Sequence, residues 1–257
     1  MTTQTSIDIK ARLMTSTLQT PYIYYTTVEN LNDQAAHALT AANGFFEQNN
    51  PNKTLEYYQK AVNAQSHSSH LLSNLGSMQC ALGQFQEGLA NLRKAVSMEK
   101  PASAALYNLG TFLSSNNVHA EAEKYFKKAI EQEPQAAAFH NNLAIVYMYQ
   151  QKFDKAQECF EKAIESDANF DYAYNNMGML FYEKNDYATA HSWLEKAYAL
   201  NPQNVTTLNN LGCVHFMLHP EDPARAFDLL KKAAELNPNV RMSYYNIGFI
   251  ATFTHKV

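Results

Sequence analysis

A small residue, nearly always behind a large apolar one, recurs along this chain at a fixed interval. Leu75-Gly76, Leu109-Gly110, Leu143-Ala144, Met177-Gly178 and Leu211-Gly212 are each 34 residues from the next, and Gly248 follows after 36. Ala42 lies 34 residues before Gly76. A second series keeps the same beat: Ala122, Ala156 and Ala190, then Phe126, Phe160 and Leu194, then Ala129, Ala163 and Ala197, with Pro134 and Pro202 closing their units. A register held over this length means one supersecondary unit copied and stacked, because a single copy cannot bury its own apolar faces.

Each copy carries two apolar-periodic stretches of about 13 residues, the length of a short helix. When Gly76 is taken as position 8 of its unit, positions 4, 7, 8 and 11 share one face of the first helix. Gly or Ala at position 8 lets two helix backbones approach closely. Phe126 and Phe160 fill the space beside them. Asn117 and Asn185 fall between the two stretches and read as turn residues. Asp154 and Asp186 read as N-caps, as does Asp222 with Pro223 at the first helical position.

The period and the residues Leu106, Leu109, Gly110, Leu113, Ala122, Phe126, Ala129 and Pro134, in that order within one unit, resemble the tetratricopeptide repeat family. The resemblance implies an all-α chain, a right-handed α-solenoid of stacked helix-turn-helix hairpins, curled so that the first helices line a concave groove. It implies units at 35–68, 69–102, 103–136, 137–170, 171–204 and 205–240, with a half unit at 241–257. Residues 1–34 stand outside the register. They read as a capping segment or an arm, with a short helix at Ser6–Leu18 and an extended stretch at Pro21–Tyr25.

In that fold, positions 2, 5, 6, 9, 12 and 13 point away from the close helix contact. Position 6 is Asn in six consecutive units: Asn74, Asn108, Asn142, Asn176, Asn210 and Asn246. An amide offers donors and an acceptor, which suits an extended peptide backbone. It equally suits a bridge between neighbouring hairpins. The Asn series resembles the groove of O-linked N-acetylglucosamine transferases. Asn141, Asn175 and Asn209 widen the polar strip at position 5. Positions 9, 12 and 13 are small in the N-terminal units (Ser77, Cys80, Ala81, Thr111, Ser114, Ser115). They are large later (Ile145, Met148, Tyr149, Met179, Tyr182, Phe216, Met217). With Tyr172 and Tyr245 on the same face, the later units are expected to carry an apolar groove for a partner helix or peptide. Six amide bonds at about 1 kcal/mol each only offset the cost of ordering a peptide. The surplus is therefore expected from apolar anchors in the C-terminal half.

The totals narrow the function further. A formal net charge of −4 lacks the surplus of Lys and Arg that a nucleic-acid groove needs. No stretch is apolar enough to span a membrane and no signal peptide is visible, so membrane insertion is not expected. Three scattered cysteines without a CxxC pair fit a reducing cytosol. The groove positions that clamp a terminal carboxylate in chaperone-binding relatives hold His70, Ala104, Tyr107, Ala138, Asn141, Tyr172 and Asn175, none of them Lys or Arg. No GxGxxG, P-loop or HExxH string occurs. His70, His140 and His215 read as packing residues, and no metal or cofactor is expected.

The expected function is a non-enzymatic scaffold that binds an extended peptide or partner helix. Two alternatives stay open: the substrate-recognition array of a larger enzyme such as a glycosyltransferase, and a self-assembling regulatory scaffold. The apolar helix from Met242 to Ile250 marks a candidate surface for a homo-oligomer.

Overall fold

The computed structural model describes residues 31–254. The readings of Ser6–Leu18 as a helix and of Pro21–Tyr25 as extended lie outside them. Among the described residues there are thirteen α-helices and no strand, so the chain has an all-α helical-repeat fold. In chain order they are α1 (Asp33–Glu47), α2 (Pro51–Ala64), α3 (Ser69–Ala81), α4 (Phe85–Val96), α5 (Ser103–Ser115), α6 (His119–Gln132), α7 (Ala137–Tyr149), α8 (Phe153–Ser166), α9 (Asp171–Glu183), α10 (Tyr187–Leu200), α11 (Val205–Leu218), α12 (Ala224–Leu236) and α13 (Arg241–Thr254). The chain divides into two bodies at Gln150 and Gln151.

In the N-terminal body α1 packs with α2, α3 with α4 and α5 with α6, and α7 follows against α6 and α5. Small residues set the closeness of these pairs. A Cβ on Gly76 would stand 2.7 Å from the backbone oxygen of Gly88, so α3 and α4 meet where neither has a side chain. A Cβ on Gly110 would instead stand 2.9 Å from the Phe126 ring, which fills the gap between α5 and α6. A core of Leu39, Tyr58, Leu71, Leu72 and Leu75 joins the first two hairpins.

In the C-terminal body α9 pairs with α10 and α11 with α12, while α8 lies against α9 and α13 against α12 and α11. Its core gathers Met179, Tyr182, Leu194, Leu211, Phe216, Met217, Leu230 and Ile250.

The turns repeat a device of their own. Asn49, Gly83, Asn117, Gln151 and Asn185 all have positive φ, between 52° and 81°, two residues before the second helix in five of the six first-to-second helix turns, while His219 in the longer α11–α12 turn keeps a φ of −129°. Asn and Gly enter this left-handed region at least cost. Asn117 and Asn185 are thus the turn residues their sequence context predicts. Asp186 is an N-cap, accepting from the Thr189 backbone N–H at 3.1 Å. Asp154 is not: α8 begins at Phe153, so its carboxylate sits in the first turn, at the positive end of the helix dipole. Asp222 also misses by one residue. Its Oδ1 accepts from Ala224 N–H at 3.4 Å, and Pro223 occupies the cap position rather than the first helical one.

Candidate functional site

The six asparagines do not form an open ladder. Asn74, Asn108, Asn142, Asn176, Asn210 and Asn246 are all at most 3% exposed. The amides of Asn108, Asn142, Asn210 and Asn246 reach back to the preceding hairpin. Asn108 donates through Nδ2 to Ser73 Oγ at 3.0 Å. Asn142 donates to the Tyr107 hydroxyl at 2.9 Å and to Thr111 Oγ1 at 3.1 Å. Asn210 donates to Asn175 Oδ1 at 3.1 Å. Asn246 donates to Asn209 Oδ1 and to Cys213 Sγ, both at 3.1 Å. Asn175 in turn donates to Asn176 Oδ1 at 3.1 Å. Four of the six amides are spent on bridging helices and all six are buried, which corrects the expectation that the series lies open to a peptide. A buried amide satisfied by the protein has nothing to offer an incoming backbone.

The acceptors occupy position 5, whose polarity is a signal that the sequence carries. Ser73, Tyr107, Asn175 and Asn209 each receive the amide that lies 35 or 37 residues later. In α1 the corresponding residue is Leu39, a hydrocarbon that accepts nothing. The Nδ2 of Asn74 is accordingly buried without a hydrogen-bond partner among the described residues.

The expected apolar groove of the C-terminal body is also filled. Met179, Tyr182 and Phe216 are at most 4% exposed and belong to its core. Phe216 meets Phe253 edge to face at 5.6 Å. Burial pushes the Tyr182 hydroxyl far above its ordinary pKa. Large side chains at positions 9 and 12 close the space between neighbouring first helices instead of lining a groove. Tyr149 remains about half exposed, stacked on His119 at 4.7 Å. Tyr172 is half-buried against Phe170 at 5.3 Å. Tyr245 is about half exposed on α13, beside exposed Tyr244.

Open space lies where the same positions are small. Between α3, α4 and α5 of the N-terminal body is a cavity of about 380 Å³, with Ser77, Cys80, Ala81, Thr111 and Ser115 among its walls. Phe85 and Phe112 flank it, their ring centroids 6.4 Å apart. No charged residue lines it. Burial raises the Cys80 thiol to about 11, so it stays protonated and behaves as an apolar wall. Another cavity, about 460 Å³, lies among Arg93, Tyr125, Lys128 and Glu131, so its lining carries charges of both signs.

Of the three histidines read as packing residues, His140 and His215 are buried and His70 is partly buried. His140 Nε2 lies 2.7 Å from the Pro134 carbonyl, an obligate acceptor, so that nitrogen carries the hydrogen. His215 stands 3.3 Å from His191 and its ring is 5.0 Å from that of His219. Burial, with neighbouring His191 and Arg225, lowers His215 to about 4. Among the described residues no cluster of three or more His, Cys, Asp or Glu could hold a metal ion. No described helix is long and apolar enough to cross a membrane.

Family models agree with this hairpin architecture. The tetratricopeptide repeat matches at residues 79–137 and 134–203. The chain belongs to the tetratricopeptide repeat family. The Sel1 repeat matches at 35–66 and 207–238, which extends the helical-repeat assignment towards both ends. Tetratricopeptide repeats generally mediate protein–protein interaction and are typically non-enzymatic scaffolds.

Solved tetratricopeptide structures share the fold. The APC/C hetero-tetramer Cut9–Hcn1 matches with a TM-score of 0.73 at 14% identity, over 84% of this chain and 42% of that one. This chain therefore spans less than half of that relative's length. PilF of Pseudomonas aeruginosa gives 0.68 at 19% identity, over 86% of this chain and 98% of PilF. YrrB, described as a TPR protein with an unusual peptide-binding site, gives 0.52 at 21% identity, over 68% of this chain and 90% of YrrB. At these identities the likeness is one of fold. No curated protein matches the sequence.

Proposed function

We propose that this tetratricopeptide chain is a non-enzymatic interaction module that holds an extended peptide segment of a partner protein against the first helices of its N-terminal body. The uncharged cavity between α3, α4 and α5 carries this reading. It is an unfilled recess beside helices whose amides already lock the hairpins in place, so it offers a binding surface without loosening the scaffold. Rigid walls lower the ordering cost of binding. The reading takes units 69–102 and 103–136 as the pair that builds the site. The peptide-binding site named for YrrB and the hetero-tetramer named for Cut9–Hcn1 are consistent with it. Three free cysteines fit a reducing, cytosolic setting.

The test is a phage-displayed random peptide library panned on the full chain. Selected peptides are then measured by fluorescence anisotropy and mapped by photo-crosslinking. Saturable binding with crosslinks in residues 69–116 is expected. A library that yields no saturable binder removes the reading.

A second reading, self-association, rests on Tyr244 and Tyr245, which are 52% and 49% exposed side by side on α13. Sedimentation equilibrium of the chain and of a Tyr244→Ser/Tyr245→Ser variant tests it. A mass that rises with concentration only in the unsubstituted chain supports it, and a constant monomer mass removes it.

A further inference from the structure

We propose that the cavity is a receptor for a tyrosine side chain of the partner peptide, with Ser77 as the residue that reads its hydroxyl; this rests on the peptide-binding reading above. Three observations converge. The first is shape and polarity. A volume of about 380 Å³ holds roughly a dozen waters at ~30 Å³ each, and so a whole side chain with its flanking backbone. The absence of a charged lining residue disfavours Lys, Arg, Asp and Glu as occupants, because each would lose its hydration without gaining a partner.

The second is the pair of rings. Phe85 is 59% exposed, a large apolar face left in water, and Phe112 stands beside it at 6.4 Å with an interplanar angle of 45°. An aromatic ring entering the cavity meets tilted rings, the arrangement such groups prefer.

The third is an unmet hydrogen bond. Position 9 is supplied by the next hairpin elsewhere: Asn142 donates to Thr111 Oγ1, and Asn246 to Cys213 Sγ. At Ser77 that supply fails: Asn108 Nδ2 donates to Ser73 Oγ, and no donor among the described residues reaches the Ser77 hydroxyl. Ser77 is 6% exposed, lines the cavity, and its hydroxyl oxygen has no hydrogen-bond partner among the described residues. Its oxygen is itself buried, so the reading requires the hydroxyl to turn towards the cavity when a phenol enters. A phenol reaching it completes the bond. A phenylalanine there leaves both the cavity and the serine unsatisfied, and sites built to bond a hydroxyl reject the analogue that lacks it.

The experiment repeats the library selection on the full chain and on two variants. Ser115→Trp fills the cavity from an exposed rim position, where folding is not at risk. Ser77→Ala removes the hydroxyl and nothing else. Tyrosine-containing peptides are expected from the full chain and not from Ser115→Trp. Replacing their tyrosine by phenylalanine weakens binding at least tenfold on the full chain and less than twofold on Ser77→Ala. Bound peptide further slows the already slow alkylation of Cys80, the one partly exposed cysteine and a wall of the cavity, followed over hours with excess reagent, whereas Cys159 and Cys213 are buried.

Peptides that bind equally well to Ser115→Trp, with Cys80 unprotected, overturn the cavity assignment while leaving peptide binding intact. Peptides lost on Ser115→Trp but lacking tyrosine, or indifferent to its replacement by phenylalanine, overturn the role of Ser77. No binder at all removes the peptide-binding reading and this one with it.

Discussion

Asn210 in α11 donates through Nδ2 to the Asn175 Oδ1 in α9 at 3.1 Å, and both side chains are fully buried. The same relation joins Asn108 to Ser73, Asn142 to Tyr107 and Asn246 to Asn209. These side chains hold successive hairpins in register, and the energetic stakes of each depend on whether its acceptor exists.

Asn210→Leu strips Asn175 Oδ1 of its closest donor and leaves only the Thr207 hydroxyl at 3.4 Å. The expected loss is about 1–3 kcal/mol, the usual effect of leaving a buried acceptor poorly paired. Asn74→Leu behaves differently. Its Nδ2 already lacks a partner, so replacing the amide with a hydrocarbon of similar size removes an unmet group. Its expected effect lies within about 0.5 kcal/mol of zero, or is stabilising. Urea unfolding of the two variants, followed by circular dichroism, separates them. Equal losses would refute the bridging role.

Gly76→Ala tests the close approach of α3 and α4. The new methyl would stand 2.7 Å from Gly88 O and 3.0 Å from Leu92 N, and neither backbone atom can step aside cheaply. Overpacking of this kind costs about 1–3 kcal/mol. Gly44→Ala and Gly248→Ala, where a Cβ meets nothing within 4 Å, are expected to gain roughly 0.5–1 kcal/mol from helix propensity. Melting temperatures should fall for the first and rise for the other two.

Much of this architecture is legible in the sequence because it rests on residue size and turn chemistry. Gly76 and Gly110 announce close helices, and Asn117 and Asn185 announce left-handed turns. The site is less legible, for a geometric reason. Positions 9 and 12 lie on one face whether they touch the next hairpin or the solvent, and a period of 3.6 residues cannot tell these apart. Met179, Tyr182 and Phe216 are large enough to reach the neighbouring helix and so become core. Ser77, Ala81 and Ser115 are too short to reach, and the cavity opens beside them. Polarity at position 5 is the overlooked signal: Ser73, Tyr107, Asn175 and Asn209 are polar because a buried amide needs them.

His215 gives the C-terminal body a definite pH response. Its folded pKa of about 4 lies below the ordinary value of 6.5, because burial and the nearby His191 and Arg225 disfavour the cation. The unfolded chain therefore takes up the proton first as pH falls. Stability is full above about pH 6.5 and declines between there and pH 4, by roughly 2–3 kcal/mol for this group. His191, lowered mainly by burial, acts in the same direction. Thermal melts across pH 4–7 should show this decline, and His215→Gln should flatten it. An unchanged slope in the variant would assign the effect elsewhere.

Gln151 is the exception among the turn residues. It holds a φ of 59° where the equivalent positions are Asn49, Gly83, Asn117 and Asn185. A long side chain in the left-handed region costs about 1–2 kcal/mol, while Gly returns part of that gain through its looser unfolded state. Gln151→Gly is therefore expected to stabilise the chain by roughly 0.5–1 kcal/mol, and Gln151→Asn by somewhat less. The control is Asn117→Ala, which forces a Cβ without a compensating amide into the same conformation at φ 63° and should destabilise by about 1 kcal/mol. Differential scanning calorimetry of the three variants ranks them. A melting temperature lowered by Gln151→Gly would mean that the glutamine side chain makes a contact worth more than the strain it carries.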